Sequence, residues 1–244
     1  MRKDGIVFVD VDTQQDFMNE DGGLYVPGAE RIKENLRRLI DFAIAKDITI
    51  IATKDVHTEN DPEFKSFPPH CRRWKDGMKG QAMHADFGLD KISETNVFPK
   101  RVGKLYSEDD FRVKAIKYDR VSEIISMDAK LDDYDIECIK NNADYIEIEK
   151  NTVDVLCNPY AEKIFSGIKK AFVFGVAVDY CVLAAVLGLI KSGVDVYIVM
   201  DAVASVGMET GIVAMDKMVK AGAKCVFSEN VISENVIDEI PQEC

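Results

Sequence analysis

Six short apolar runs, rich in β-branched and aromatic residues, recur along the chain. They occupy residues 5–11, 48–54, 145–150, 170–176, 194–200 and 224–227. Short β-branched runs of this kind are typical of strands that are buried on both sides of a sheet. We therefore predict that these runs form the strands of a single sheet.

Segments with helical spacing lie between the predicted strands, and turn residues such as Gly193 and Gly222 end two of them. The segments are residues 29–46, 159–168, 179–192 and 209–221. Strands that alternate with helices build βαβ units. The pattern predicts an α/β fold with a doubly wound, Rossmann-like, mostly parallel sheet and helices on both faces. Ligands bind such sheets beyond the carboxyl ends of the strands, so functional residues are expected directly after each run.

Residues 58–144 depart from this alternation. Their second half, residues 104–144, is strongly charged and mostly compatible with helix. We predict a helical insertion over 104–144, within a single domain that spans residues 1–244. A chain of 244 residues is long enough for one large hydrophobic core.

Composition narrows the classes of partner and location. The chain has 31 Lys and Arg residues against 43 Asp and Glu residues, and its net charge of −12 argues against a nucleic acid or an anionic membrane surface as partner. Asp10 and Asp12 interrupt the first apolar run, and no apolar stretch reaches about 18 residues, so we expect a cytoplasmic protein. The six cysteines form no CxxC pair, which indicates free thiols. These features favour a small-molecule ligand.

The segment GVAVDYCV, residues 175–182, carries the strongest chemical signal. It follows a predicted buried strand and opens a predicted helix, so Cys181 is expected in the first helical turn. The unpaired N–H groups and the dipole of that turn lower the pKa of a thiol and supply donors for an oxyanion. A cysteine in an apolar helix is more often a small buried hydrophobic residue. Its position after a strand favours the interpretation of Cys181 as a nucleophile.

Two ionisable residues stand at the ends of other predicted strands. Asp12, in the segment VDTQQDF, is placed to act as the general base that takes the thiol proton. The alternative is a carboxylate that caps the following turn. Lys150 ends the run 145–150 and would stabilise both the carboxylate and the developing thiolate. Its alternative is a strand-terminal lysine in solvent.

Residues 54–71 contain a candidate set of metal ligands, namely Asp55, His57 and His70. One carboxylate with two imidazoles leaves coordination positions open for water or substrate, and suits zinc, iron or manganese. Two of the three histidines of the chain fall in this stretch. The alternative is a pair of loop histidines at the surface.

Taken together, these segments resemble the isochorismatase-like cysteine hydrolase superfamily and, within it, the nicotinamidases. The resemblance runs from residue 5 to about 206 and is interrupted by residues 72–144. The family motif DxQxDF matches residues 12–17, with Asp12 as the catalytic Asp and Gln14, Asp16 and Phe17 at the other motif positions. The family turn GVAxDxCV matches residues 175–182 and places its nucleophile at Cys181. A lysine after a middle strand corresponds to Lys150.

The resemblance implies further details of the site. The family turn contains a cis peptide bond, which would fall between Val176 and Ala177. The N–H groups of Ala177 and Cys181 would then form the oxyanion hole. By the same resemblance, Phe17 and Phe67 would flank the pyridine ring of nicotinamide.

The metal residues of nicotinamidases match Asp55, His57 and His70, with zinc as the first expectation and iron or manganese as alternatives. Their presence shifts the interpretation towards a nicotinamidase, and a homo-oligomer is expected from the same likeness. The chain departs from the family in the segment RRWKDGMKG after Cys71 and in the length of residues 104–144. Another small-amide hydrolase, acting on a ureido or carbamoyl group, is therefore the alternative. A member that binds a ligand without catalysis is a further one.

Overall fold

The structure is a computed structural model and describes residues 5–58, 60–72, 113–116, 125–127 and 131–233. The strands within these ranges are β1 (Ile6–Val11), β2 (Thr49–Asp55), β3 (Val113–Ile116), β4 (Ile125–Met127), β5 (Tyr145–Lys150), β6 (Lys170–Val176), β7 (Asp195–Ala204) and β8 (Lys224–Val226). They form one sheet in the order β4-β3-β5-β2-β1-β6-β7-β8.

The six strands that the sequence predicts are all present, and each is parallel to its neighbours among them. β3 and β4 add an antiparallel edge beside β5. The central strands β1, β2, β5 and β6 are buried along their whole length, as expected for strands covered on both faces. The predicted mostly parallel α/β sheet is therefore confirmed.

Helices cover both faces of this sheet. The α-helices within the described ranges are α1 (Gln15–Met18), α2 (Ala29–Ala45), α3 (Asp133–Asn142), α4 (Ala161–Phe165), α5 (Leu183–Lys191), α6 (Met208–Ala221) and α7 (Ser228–Ile232). Alternate side chains of β1 enter opposite cores, so that Ile6 and Phe8 share a cluster with α2, whereas Val7 and Val9 share one with α5 and α6. None of the helices described above is long and apolar enough to cross a bilayer.

Two predicted helices differ in form from the prediction. The segment 159–168 contains only the short helix α4, which ends ahead of Gly167 with its φ of +77°. The segment 179–192 begins as a π-helical turn, Val178–Val182, before α5 continues it. Cys181 therefore lies in a widened turn rather than in a regular α-helical one.

The predicted helical character of residues 104–144 is wrong for the described strands β3 and β4. Only Asp133–Asn142, near the end of this segment, is helical in the described part. The free edge of β5 explains the difference, because β3 pairs with it in antiparallel register, with Val113 opposite Ile148. Pairing of backbone groups at a sheet edge overrides a local preference for helix. The remaining parts of the segment lie outside the described residues, and the single domain over 1–244 stays a prediction.

Close packing of β6 on β1 fixes the position of the turn that follows β6. At Gly175 the backbone φ is +111°, and a Cβ atom there would lie 2.1 Å from the carbonyl oxygen of Val11. Only glycine combines this conformation with so close an approach. The turn that contains Cys181 is thereby held directly beside the end of β1.

Candidate active site

The register of four neighbouring strands brings the predicted site residues to one edge of the sheet. Asp55 and Lys150 stand opposite each other as the last residues of β2 and β5. Asp12 follows the last residue of β1, and Cys181 lies in the turn after β6. Because these strands run in parallel in the order β5-β2-β1-β6, their carboxyl ends present all four side chains together.

Lys150 connects the other three residues. Its Nζ atom lies 2.8 Å from Asp12 Oδ2 and 3.2 Å from Asp55 Oδ1. It also lies 3.6 Å from Cys181 Sγ, within hydrogen-bond distance of sulfur. Burial alone would lower the pKa of Lys150, but the two carboxylates raise it well above its ordinary value, so the side chain is an ammonium. The alternative of a lysine in solvent is wrong, because the side chain is 1% exposed.

The side chain of Asp12 is held from two sides. Thr53 donates a hydrogen bond from Oγ1 to Asp12 Oδ1 at 2.6 Å, and Lys150 contacts the other carboxylate oxygen. Asp12 has a left-handed backbone, with φ of +51°, at the point where the chain leaves β1. These contacts orient the carboxylate towards the site rather than towards the following turn. Thr53 is a site residue that the sequence reasoning missed.

Cys181 differs from its predicted ionisation. Burial raises the pKa of its thiol well above the ordinary value, and the nearby Asp12 raises it further, while Lys150 acts in the opposite direction. The prediction of a lowered pKa is therefore wrong for the resting site, because burial and a carboxylate outweigh the effect of the turn. A protonated thiol beside a carboxylate needs that carboxylate to remove its proton before attack.

The turn between β6 and the cysteine has the predicted unusual backbone. The peptide bond between Val176 and Ala177 is cis. The carbonyl oxygen of Ala177 accepts hydrogen bonds from the N–H groups of Tyr180 and Val182, at 3.0 and 3.1 Å. These bonds fold the turn around Cys181. The oxyanion role of the Ala177 and Cys181 N–H groups stays a prediction.

The three predicted metal ligands converge on one point. His57 Nε2 lies 2.8 Å from Asp55 Oδ2, and His70 Nε2 lies 3.2 Å from the same oxygen. The opposite ring nitrogens face acceptors, since His70 Nδ1 is 2.8 Å from the Pro68 carbonyl oxygen and His57 Nδ1 is 3.1 Å from Asp61 Oδ2. The Pro68 carbonyl holds the proton of His70 on Nδ1 and leaves its Nε2 lone pair free for a cation.

The donor atoms fit a divalent metal. An ion bonded at about 2.0–2.1 Å separates its ligand atoms by roughly 2.9–3.4 Å, close to the observed spacing. The surroundings also favour positive charge, because hydrogen bonds to Asp55 and Asp61 raise the pKa of His57 against the effect of burial. Glu63 lies nearby, and burial together with Asp55 raises the pKa of its carboxyl. Since His57 and His70 are buried, the alternative of surface histidines is wrong.

We expect His70→Ala to weaken the binding of zinc by more than roughly 100-fold. Mutating a residue that only hydrogen-bonds to a metal ligand typically costs about 10–100-fold in metal affinity, and losing a ligand should cost more. Competition with a chromophoric chelator measures this affinity. His84→Ala, which removes the third histidine of the chain, is the control and should bind zinc like the original protein. Unchanged affinity in His70→Ala would exclude His70 as a ligand.

Aromatic side chains surround the metal-ligand candidates and the cysteine turn. The ring of Phe17 lies 5.4 Å from that of His70, and the ring of Phe67 packs edge-on against Tyr180 at 5.7 Å. Phe64, which the sequence reasoning missed, contacts the rings of both histidines. Flat apolar surfaces of this kind suit an aromatic or planar ligand. The contact of Phe17 and Phe67 with substrate stays a prediction.

The fold and the site together define an α/β protein with a thiol, a carboxylate and an ammonium at the carboxyl edge of a parallel sheet. Residues 128–230, which include Lys150 and Cys181, match the family model of the isochorismatase domain. The sequence of this part of the chain therefore resembles the isochorismatase domain, and the fold of the chain matches that of isochorismatase-like hydrolases. The resemblance predicted from the sequence is confirmed.

Solved structures share the fold over almost the whole chain. The pyrazinamidase of Pyrococcus horikoshii in complex with zinc is 23% identical, with a TM-score of 0.62, over 91% of this chain and 99% of its own. A nicotinamidase from Bacillus subtilis is 19% identical, with a TM-score of 0.60, over 91% and 99%. The N-carbamoylsarcosine amidase from Thermoplasma acidophilum is 17% identical, with a TM-score of 0.59, over 97% and 98%. Among curated proteins, no sequence matches this chain.

Proposed function

We propose that this protein is a metal-containing cysteine amidohydrolase that cleaves a small amide, with nicotinamide as the first candidate substrate. The network around Lys150 carries the proposal, because one buried ammonium contacts the thiol of Cys181, the carboxylate of Asp12 and the metal-ligand candidate Asp55. The shared fold of a nicotinamidase and of a pyrazinamidase supports a small amide as substrate.

In the first half of the reaction, Asp12 takes the proton of the Cys181 thiol and the thiolate attacks the amide carbon. The oxygen of the tetrahedral intermediate accepts hydrogen bonds from the N–H groups of Ala177 and Cys181. Asp12 then gives its proton to the leaving nitrogen, the C–N bond breaks, and ammonia departs. The acyl group remains on Cys181 as a thioester.

In the second half, Asp12 removes a proton from water, and the oxygen of that water attacks the thioester carbon. The C–S bond breaks, the acid departs, and the Cys181 thiolate takes the proton back from Asp12. Lys150 balances the negative charge of Asp12 and of the departing thiolate throughout. Asp55, His57 and His70 would hold the metal, which supplies a Lewis acid able to bind the ring nitrogen of a pyridine substrate. Zinc is the expected ion, with iron or manganese as alternatives.

Ammonia release by the purified protein tests this proposal. We expect release from nicotinamide, and a parallel loss of activity and of bound metal when a chelator strips the protein. Release from nicotinamide that survives complete removal of the metal would contradict a role of the metal in substrate binding. If no ammonia is released from nicotinamide although Cys181 is intact and metal is bound, nicotinamide is excluded as the substrate, while the proposal of a cysteine hydrolase stands.

A carbamoyl or ureido amide is the second candidate substrate. The N-carbamoylsarcosine amidase shares the fold over nearly the whole of this chain, which supports the same site acting on another acyl group. Assays with N-carbamoylsarcosine and a ureidoacrylate, run beside nicotinamide, distinguish the two classes. Absence of turnover with every amide, together with ligand binding, would favour a member without catalysis. The cytoplasmic location and the homo-oligomeric state expected from the sequence remain parts of the proposal.

A further inference from the structure

Two polar residues that follow β1 contact the backbone of the segments that carry the metal-ligand candidates. The first is Gln14, which is fully buried. Its Nε2 atom donates to the carbonyl oxygen of Asp55 at 2.8 Å, and its Oε1 atom accepts from the Asp55 N–H at 2.7 Å. The side-chain amide thus pairs with Asp55 as a backbone amide would, and it extends the contact of β1 with β2 past the end of β1.

The second residue is Asp16, two positions further along. Its Oδ2 atom accepts a hydrogen bond from the N–H of Cys71 at 2.6 Å, and its Oδ1 atom accepts one from Gly23 at 3.2 Å. Cys71 follows the ligand candidate His70 and has a left-handed backbone, with φ of +43°. The buried carboxylate of Asp16 therefore holds the chain where it turns just after His70.

We propose that Gln14 and Asp16 are positioning residues for the metal site, an inference that rests on the metal-binding role proposed above. Asp55 ends β2, whereas His70 lies on a loop, and the backbone link between the two segments is the hydrogen bond from the His57 N–H to the Cys71 carbonyl oxygen, at 3.0 Å. Both segments are also bonded to side chains of α1 and of the residue before it. The motif that supplies the base Asp12 thus also contributes to the distance between two metal ligands.

Zinc affinity of the Gln14→Met variant tests the proposal. Methionine has a similar length but cannot pair with both backbone groups of Asp55, so we expect zinc affinity to fall by about 10–100-fold. Asp16→Asn replaces one hydrogen-bond acceptor by a donor. On the same basis, we expect its zinc affinity to fall by about 10-fold or more. Gln15→Met and Asp21→Asn are matched controls on the same segment and should bind zinc like the original protein.

A control for general destabilisation separates positioning from a purely structural role. Asn35 donates a side-chain hydrogen bond to the backbone of Asp201, away from the metal ligands, at 2.7 Å. Asn35→Leu should lower the melting temperature of the metal-free protein and leave zinc affinity unchanged. We expect the zinc affinity of Gln14→Met to fall well below that of Asn35→Leu, even where the two variants have similar melting temperatures.

The possible outcomes separate this inference from the proposed function. Zinc binding by Gln14→Met and Asp16→Asn with the original affinity would overturn the positioning role while retaining the metal site. An equal loss of zinc affinity in Asn35→Leu would show that reduced stability explains the effect, and it would also overturn the positioning role. If the original protein binds neither zinc, iron nor manganese, the metal site itself fails, and the positioning role fails with it.

Discussion

Replacing Cys181 by alanine is expected to abolish amide hydrolysis, with a loss of roughly 10⁴-fold or more in kcat. Removal of the nucleophile from a covalent mechanism has effects of this order, because no other group then forms the acyl intermediate. The effect on folding should be small, because the substitution removes a single sulfur atom and alanine suits a helical turn. Ammonia release under saturating substrate measures the loss, and metal content should stay unchanged.

Cys157→Ala is the matched control for this prediction, because Cys157 is also a free, partly buried thiol but lies in a different turn. It should retain the original rate. Mass spectrometry after acid quenching should detect an acyl adduct on Cys181 in the original protein and in Cys157→Ala, and none in Cys181→Ala. Turnover that persists in the purified Cys181→Ala protein would exclude the thioester mechanism.

The sheet was predictable because its parallel strands are short runs rich in β-branched and aromatic residues. Burial on both faces favours such runs. Each of the six runs forms a strand whose ends lie within about one residue of the predicted ends, apart from β7, which extends to Ala204. β3 was not predicted, because it forms a strand through its pairing with β5 rather than through a pattern in its own sequence. It adds to an edge of β5 that no local pattern reveals.

The positions of the site residues were predictable, but their interactions were not. Parallel strands end at one edge of a sheet, so Asp12, Asp55 and Lys150 were expected along the same edge. The order of the strands decides which pairs touch, and sequence alone does not give that order. The hydrogen bond from Thr53 to Asp12 depends on β1 and β2 being neighbours in a particular register.

The ionisation of Cys181 was predicted in the wrong direction for a related reason. A cysteine at the start of a helix indicates a lowered pKa only when the local turn dominates its surroundings. In the folded chain, burial and the carboxylate of Asp12 outweigh that turn. The depth of burial and the contact with β1 are tertiary properties, and the local motif contains neither.

Replacing Lys150 by methionine is expected to damage both stability and catalysis. It leaves two buried carboxylates, those of Asp12 and Asp55, without their shared cation. Breaking a buried pair by removal of one partner costs about 3–5 kcal/mol in the free energy of unfolding. Loss of an oriented base further lowers kcat by about 10²–10⁴-fold. Denaturant unfolding and ammonia release measure the two effects on one preparation.

Lys54→Met is the matched control, because it removes a second buried ammonium from the same pair of strands. Lys54 lies 3.1 Å from Glu147, and its position next to Thr53 in β2 points it to the opposite face of the sheet from the site. We expect this variant to lose stability in the same way but to keep the catalytic rate of its folded fraction. If both variants lose catalysis equally, the effect of Lys150 is stability alone. If only Lys150→Met loses it, the ammonium acts directly at the thiol and the base.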